Sequence, residues 1–341
     1  MARVMVTGAG GYMGNVLVGQ LLQENFEVVA LDRYVVNYDD LDTYRDKPGL
    51  TLLKKDIRDV TEDDFRGVDS VFDLAAFSND PSGALDPELT REVNHHGRAR
   101  VAATAKKAGV KRYLLASSCS VYGAAGERPC TEEDAINPLT VYAECNRLAE
   151  QAAMEQMGDN FCVTALRFST LFGLSRRMRF DLVINYMSLI AVTKKRVEIM
   201  GGGQQWRPLV HVRDAVRAFR TALAAPVETV NGQIFNIGFT NAQIWQLAEV
   251  VKKKLLFDVE IVIIPGDLDK RDYRVDFTKA KDVLGYEAQV DAIRGFDEVT
   301  AALLEGRVAP TVKTNTVDWY NHLLNAKSLY ESVSLGGRYL R

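Results

Sequence analysis

Eight residues near the start of the chain carry the clearest chemical signal. Thr7-Gly8-Ala9-Gly10-Gly11-Tyr12-Met13-Gly14 follows the apolar run Val4-Met5-Val6, and Gly8, Gly11 and Gly14 recur at every third position. A side chain at Gly8 or Gly11 would obstruct a tight turn, or the close approach of a pyrophosphate to backbone N–H groups. A helix opened by such a turn adds partial positive charge at its N-terminus. Asp32 closes the next β-branched run, 18 residues after Gly14, where a carboxylate accepts hydrogen bonds from an adenine ribose. That carboxylate repels a 2′-phosphate and so favours NAD over NADP, while Arg33 beside it is the residue type that recruits such a phosphate. Asp56-Ile57, after a third strand-like run, is either the support of the adenine edge or an ordinary solvated turn.

These residues need a scaffold, and the hydrophobic pattern supplies one. Val4-Met5-Val6 and Val28-Val29-Ala30-Leu31 read as strands with a helix over residues 15–24 between them. Further strands are expected at residues 52–53, 71–74, 113–116 and 162–166, with helices over 87–108 and 141–157. Strand–helix alternation at this spacing predicts an α/β fold: a Rossmann-type, doubly wound parallel sheet with helices on both faces. After Gly173 the pattern loosens into a basic segment, Arg176-Arg177-Met178-Arg179, and a helix over 181–193. A helix over 210–224 and a strand over 234–238 are expected to rejoin the main sheet. Helices over 244–255, 278–284 and 293–304 complete a smaller, mixed α/β part. The expected division is a dinucleotide-binding domain over 1–175 joined by 208–240, and a substrate-binding cap from 176–207 and 241–341.

Composition narrows the class. Lys and Arg total 42 against 45 Asp and Glu, a formal net charge of -3, too balanced for a protein built around a nucleic acid. No uninterrupted apolar run is long enough to span a bilayer. A first strand starting at Val4 leaves no room for a signal peptide, so a cytoplasmic location is expected. Cys119, Cys130, Cys145 and Cys162 lack paired metal-ligand spacing, and no metal site is expected. His95-His96 likewise have no partners at metal spacing and read as surface or dimer-contact residues, with His211 structural.

The chain resembles the extended short-chain dehydrogenase/reductases, in the nucleotide-sugar epimerase/dehydratase branch. The resemblance rests on the glycine loop, Leu74-Ala75-Ala76, Ser117-Ser118-Cys119-Ser120-Val121-Tyr122-Gly123 and Asn137-Pro138 leading to Tyr142. It continues through Leu166-Arg167-Phe168 to Phe172-Gly173 and Arg207-Pro208-Leu209-Val210-His211-Val212-Arg213-Asp214, covering residues 1–285. It looks closest to members that oxidise C4 of nucleotide-linked hexoses or heptoses. It implies an NAD site that adds Tyr12, Met13, Leu74, Ala75, Ala76, Ser117, Tyr142, residue 146 and Phe168 to the glycines and acids above.

The resemblance also implies a Ser, Tyr, Lys active site with Tyr and Lys four residues apart on one helix. The matching positions are Ser118, Tyr142 and Asn146, so the lysine is replaced. The lysine holds the nicotinamide ribose and lowers the tyrosine pKa so that the phenol can act as a base. An ammonium about 6 Å from a phenolate is worth roughly 2.8 kcal/mol at an effective dielectric of 20, or about two pKa units. Asn146 can keep the ribose hydrogen bonds but supplies no charge. Three readings stay open: the positive ring of NAD with an arginine such as Arg147 suffices, Tyr142 stays protonated and acts as an acid, or the protein binds without catalysing. Cys119 and Ser120 stand where family dehydratases present an acid pair. Cys119 is therefore either an acid/base of lowered pKa or a small buried thiol.

On the substrate side the resemblance implies a nucleotide-diphosphate sugar. Arginine forks suit its phosphate oxygens, and Arg207, Arg271, Arg177 and Arg179 are the candidates, with Arg176 and Arg274 beside them. Ser78, Asn79, Ser118 and Thr170 are placed for sugar hydroxyls. Trp206 is read as a base-stacking or a plain packing residue. A homodimer through the helices over 87–108 and 141–157 is also implied.

Overall fold

Strands that are apolar on both faces need helices on both sides, and the chain folds accordingly. The computed structural model describes residues 2–36, 41, 44, 47–126, 128–254, 259–265 and 271–334. β1 (Arg3–Thr7), β2 (Glu27–Asp32), β3 (Leu50–Lys54), β4 (Ser70–Asp73), β5 (Arg112–Ser118), β6 (Cys162–Phe168) and β10 (Gln233–Ile237) form a seven-stranded sheet. Its order is β10-β6-β5-β4-β1-β2-β3, with parallel pairings throughout. Val4 and Val6 of β1 pack into one core with Phe72, Phe219 and Phe235, whereas Met5 between them joins a second core with Val71, Leu115, Phe65 and Val101. The doubly wound Rossmann-type sheet expected from the sequence is thus present.

The α-helices of the described residues are α1 (Tyr12–Gln23), α2 (Asp80–Ala84), α3 (Pro87–Arg91), α4 (Arg98–Lys107), α5 (Val141–Met154), α6 (Val183–Lys194), α7 (Val212–Ala224), α8 (Val227–Val230), α9 (Ile244–Lys254), α10 (Thr278–Leu284), α11 (Ala292–Leu304) and α12 (Thr316–Val333). A three-stranded sheet, β11 (Thr240–Gln243), β9 (Trp206–His211) and β7 (Thr170–Phe172), and a parallel pair, β12 (Glu260–Ile264) with β8 (Arg196–Met200), make the smaller part.

Three elements differ from the sequence reading. The helix expected over 87–108 is interrupted by a wider turn of π type, Glu92–Gly97, which re-phases the chain just before Arg98. The helix expected from 210 begins at Val212, because Leu209, Val210 and His211 belong to β9 and the His211 Nδ1 caps the helix by accepting from Arg213 N at 3.2 Å. α12 was not expected at all. Its exposed faces give little amphipathic signal, but Asn315 caps it by accepting from Val317 N and Asp318 N. Among the described residues no helix is long and apolar enough to cross a membrane, and no group of His, Cys, Asp or Glu could hold a metal ion.

Candidate active site

A cavity of about 840 Å³ runs along the C-terminal edge of the main sheet, where loops from β1, β2, β4 and β5 converge. The glycine turn forms one wall. Gly8 has φ +67°, and a Cβ on it would lie 2.9 Å from Ala75 N and Leu74 C; a Cβ on Gly14 would lie 2.1 Å from Gly8 O. The turn therefore needs both glycines to close against β4 and α1. Gly11 precedes α1 without a side-chain cap and no acidic residue stands in the first turn, so the leading N–H groups stay open for an anion. Tyr12 pins the turn to the substrate side, donating its hydroxyl hydrogen to Gly173 O at 2.6 Å.

Asp32 accepts from Gly10 N at 3.0 Å and from Tyr34 N at 2.7 Å. Burial pushes its carboxyl above the usual range, and those backbone N–H groups oppose the shift. Arg33 lies 3.4 Å from Asp56, whose carboxylate also takes Arg58 at 2.8 Å. The Arg58 fork holds the Asp56 carboxyl below its ordinary value, so Arg33 and Asp56 neutralise one another beside Ile57 on the cavity wall.

Ser118 ends β5, and Tyr142 and Asn146 share one face of α5, whose first turn is capped by Thr140 accepting from Ala143 N at 3.1 Å. Ser117, Ser118, Tyr142, Asn146 and Phe168 all line the cavity. Burial, and then the nearby Asp80 carboxylate, raise the Tyr142 phenol above its ordinary value; hydrogen bonding to Ser118 and Asn146 and the charge of Arg98 pull the other way.

Two sequence readings are corrected. Cys119 is fully buried behind the wall and its thiol donates to Arg167 O at 3.1 Å. Burial lifts that thiol far above its ordinary pKa, so Cys119 is a packing residue rather than an acid or base. Arg147 is not on the cavity wall; the arginine that meets Asn146 there is Arg98, which sequence reasoning missed. Its signal was available: a cation inside Val93–Ala105, on the helix face that otherwise carries Val101, Ala102 and Ala105 into the core.

Leu74, Ala75, Ala76, Ser78, Asn79, Met13, Thr170, Arg177, Arg179, Arg207 and Arg271 also line the cavity. The arginines meet acids and carbonyls there. Arg179 forms a fork with Asp181 (3.1 and 2.7 Å) and donates to Ser78 Oγ at 3.2 Å, and Asn79 donates to the same Asp181 at 2.8 Å. Arg177 donates to Thr316 Oγ1 at 3.3 Å, Arg271 pairs with Asp80, and Arg207 donates to Arg271 O at 2.5 Å. Asp269 and Lys270, which immediately precede Arg271 in the sequence, fall outside the described residues. Arg176 stacks over Tyr44 and Arg274 over Trp206, and none of these four is on the wall. α12 and its cap add further lining residues that sequence reasoning missed, among them Asn315, Tyr320 and Lys327; Tyr320 packs on Phe77 with ring centroids 4.8 Å apart.

The description "NAD dependent epimerase/dehydratase family" matches residues 4–238. The chain belongs to that family. It is 31% identical over 306 residues to UDP-glucuronic acid decarboxylase 6 of Arabidopsis thaliana, covering 86% of each. It is 27% identical to UDP-glucose 4-epimerase of Lactobacillus helveticus, over 88% of this chain and 95% of that one. Its fold superposes with a TM-score of 0.78 on MoeE5 solved in complex with UDP-glucuronic acid and NAD, at 27% identity over 89% of this chain and 100% of that one. The glycine turn agrees with an NAD cofactor on its own geometry, because the positions that approach Ala75 and Gly8 O admit no side chain.

Proposed function

We propose that this protein is an NAD-dependent nucleotide-sugar enzyme that acts at the sugar C4, as an epimerase or a C4 oxidoreductase. The observation that supports it is the sharing of one cavity by the glycine turn with Asp32, the Ser118–Tyr142 pair, and Arg207 and Arg271. Gly8, Gly11, Tyr12, Met13 and Gly14 would hold the pyrophosphate, Asp32 the adenine ribose, and Asn146 the nicotinamide ribose. When bound, NAD supplies the ring that accepts and returns the carbon-bound hydrogen.

Tyr142 takes the proton of the C4 hydroxyl and gives it back, and Ser118 holds that hydroxyl in line with the phenol. Arg207 and Arg271 face the diphosphate, with Ser78, Asn79 and Thr170 toward sugar hydroxyls. Nothing at positions 119 and 120 can eliminate water as a carboxylate pair does, so the reading stops at oxidation, reduction and epimerisation. A homodimer through α3, α4 and α5 completes the proposal, and light scattering tests it separately.

The test is incubation of the purified protein with NAD and UDP-glucuronic acid, UDP-glucose or dTDP-glucose, following nicotinamide absorbance and the C4 configuration of recovered sugar. Turnover, or reduced cofactor trapped on the protein, supports the enzyme. Tight binding of both ligands with neither outcome makes the chain a binding module that has lost its chemistry.

A further inference from the structure

Among the described residues Arg98 is the largest fully buried side chain, and its position is difficult to explain by packing alone. Its Nε donates to Asp73 Oδ2 at 3.1 Å, and Nη2 donates to Asp73 O at 3.1 Å and Ala116 O at 2.5 Å. Asp73 is further loaded by the hydroxyls of Thr7 and Tyr113, each donating at 2.5 Å. A staple between β4, β5 and α4 would need nothing more. The remaining nitrogen, Nη1, instead donates to Asn146 Oδ1 at 3.2 Å, at the position where the resemblance leads one to expect a lysine.

A guanidinium has no acceptor, so it fixes which end of the Asn146 amide it meets. Oδ1 faces Arg98 and Nδ2 donates to Tyr142 O at 3.1 Å, so the amide that lines the cavity beside the phenol is held in one orientation. We propose that Arg98 and Asn146 together replace the single lysine: Arg98 brings the buried positive charge to the Tyr142 phenol, and Asn146 presents an oriented N–H to the nicotinamide ribose. The proposal rests on the NAD site proposed above. Arg98 is a positioning residue in this scheme, acting through Asn146 and through its field.

The charges around the phenol are few. Asp80, paired with Arg271, raises its pKa, and Arg98 lowers it; Arg179, paired with Asp181, feels the phenol in turn. Arg98 is paired with Asp73, but its guanidinium lies between that carboxylate and Asn146, so the positive end of the pair faces α5. A lysine added at 146 would therefore meet a cation already in place rather than fill a gap.

The experiment is a double-mutant cycle on Arg98→Met and Asn146→Lys, with Asn146→Leu as a companion that leaves the Asp73 pair intact. NAD affinity is read by calorimetry, and the Tyr142 phenol is followed through the resonance of an isotope-labelled ring carbon, identified with Tyr142→Phe. Arg98→Met is expected to weaken NAD about tenfold and to move the phenol titration up by about one pH unit. Asn146→Lys alone weakens NAD because two cations crowd, and the double variant recovers to within about threefold of the parent. Asn146→Leu loses about tenfold in affinity with the phenol moved less than in Arg98→Met. Should Arg98→Met fail to fold, Arg98→Lys replaces it, expected to keep the phenol titration while weakening NAD. An additive double variant, or a phenol titration indifferent to residue 98, overturns the proposal and leaves Arg98 a staple. If the parent protein itself binds no NAD, it is the functional reading that falls.

Discussion

Asp32 Oδ2 accepts the amide hydrogen of Gly10 at 3.0 Å, so the acid that ends β2 also holds the turn that follows β1. Its other oxygen accepts from Tyr34 N at 2.7 Å, and the Tyr34 ring fills the space where a side chain on Gly10 would stand. One carboxylate thus shapes the glycine turn and faces the ribose position. Asp32→Ala removes both functions. NAD affinity is expected to fall by at least about tenfold while NADP affinity falls less, because the repulsion of a 2′-phosphate goes with the acid. Parallel calorimetric titrations with the two dinucleotides check this; an unchanged ratio would show that Asp32 does not set the preference.

The closeness of the turn gives a sharper stability prediction. A Cβ at Gly14 meets the Gly8 carbonyl oxygen at 2.1 Å, and both partners are backbone that cannot rotate away. Gly14→Ala is expected to cost on the order of 3 kcal/mol in chemical denaturation. Gly126→Ala, where nothing lies within 4 Å, should stay within about 0.5 kcal/mol of the parent. Equal effects at the two sites would mean that the turn opens readily.

Tyr142 sets the expected pH dependence. Burial and the Asp80 carboxylate hold the phenol above its ordinary pKa, so the proton-accepting phenolate is the minor form at neutral pH. The rate of sugar oxidation should therefore climb with pH across the neutral range. Asp80→Asn removes the nearest negative charge and frees Arg271, and both changes favour the phenolate. The limb should move to lower pH, by about one unit. Tyr142→Phe should keep NAD binding within about threefold and lose roughly a hundredfold or more in turnover. A limb that ignores Asp80→Asn would assign the titration to another group.

The sheet, the glycine turn and the positions of Ser118 and Tyr142 were legible because each is fixed locally. Val4-Met5-Val6 and Val28-Val29-Ala30-Leu31 carry the strand pattern, and α5 places residues 142 and 146 on one face whatever surrounds it. What escaped is non-local. Arg98 joins Asn146 from a different helix, 48 positions away, and its phase depends on the wider turn at Glu92–Gly97. α12 lines the cavity with Tyr320 and Lys327 although its sequence shows only a weak apolar stripe. The arginines Arg177, Arg179, Arg207 and Arg271 were legible as cationic candidates, but Thr316, Ser78 and Asp80, which Arg177, Arg179 and Arg271 meet, come from distant segments.

His211 joins the end of β9 to α11, and that link predicts an acid limb in stability. Its Nδ1 accepts from Arg213 N, so Nε2 carries the hydrogen and donates to Glu298 Oε2 at 2.8 Å. Gly173 and Gly295 leave room for this contact, since a Cβ on Gly173 would fall 2.1 Å from the imidazole and one on Gly295 2.3 Å from the Phe172 ring. Burial alone would lift the Glu298 carboxyl; the His211 bond and the charge of Arg213 outweigh it and hold the group below its usual 4.5. A carboxyl depressed in the folded state stabilises the protein above its unfolded pKa, and that contribution is lost as pH falls through the lower folded value. Glu298→Gln should therefore lower stability near neutrality by about 1–2 kcal/mol and flatten the decline below pH about 4.5. Denaturation midpoints across the acid range measure both effects, and identical slopes for parent and variant would remove Glu298 from the acid limb.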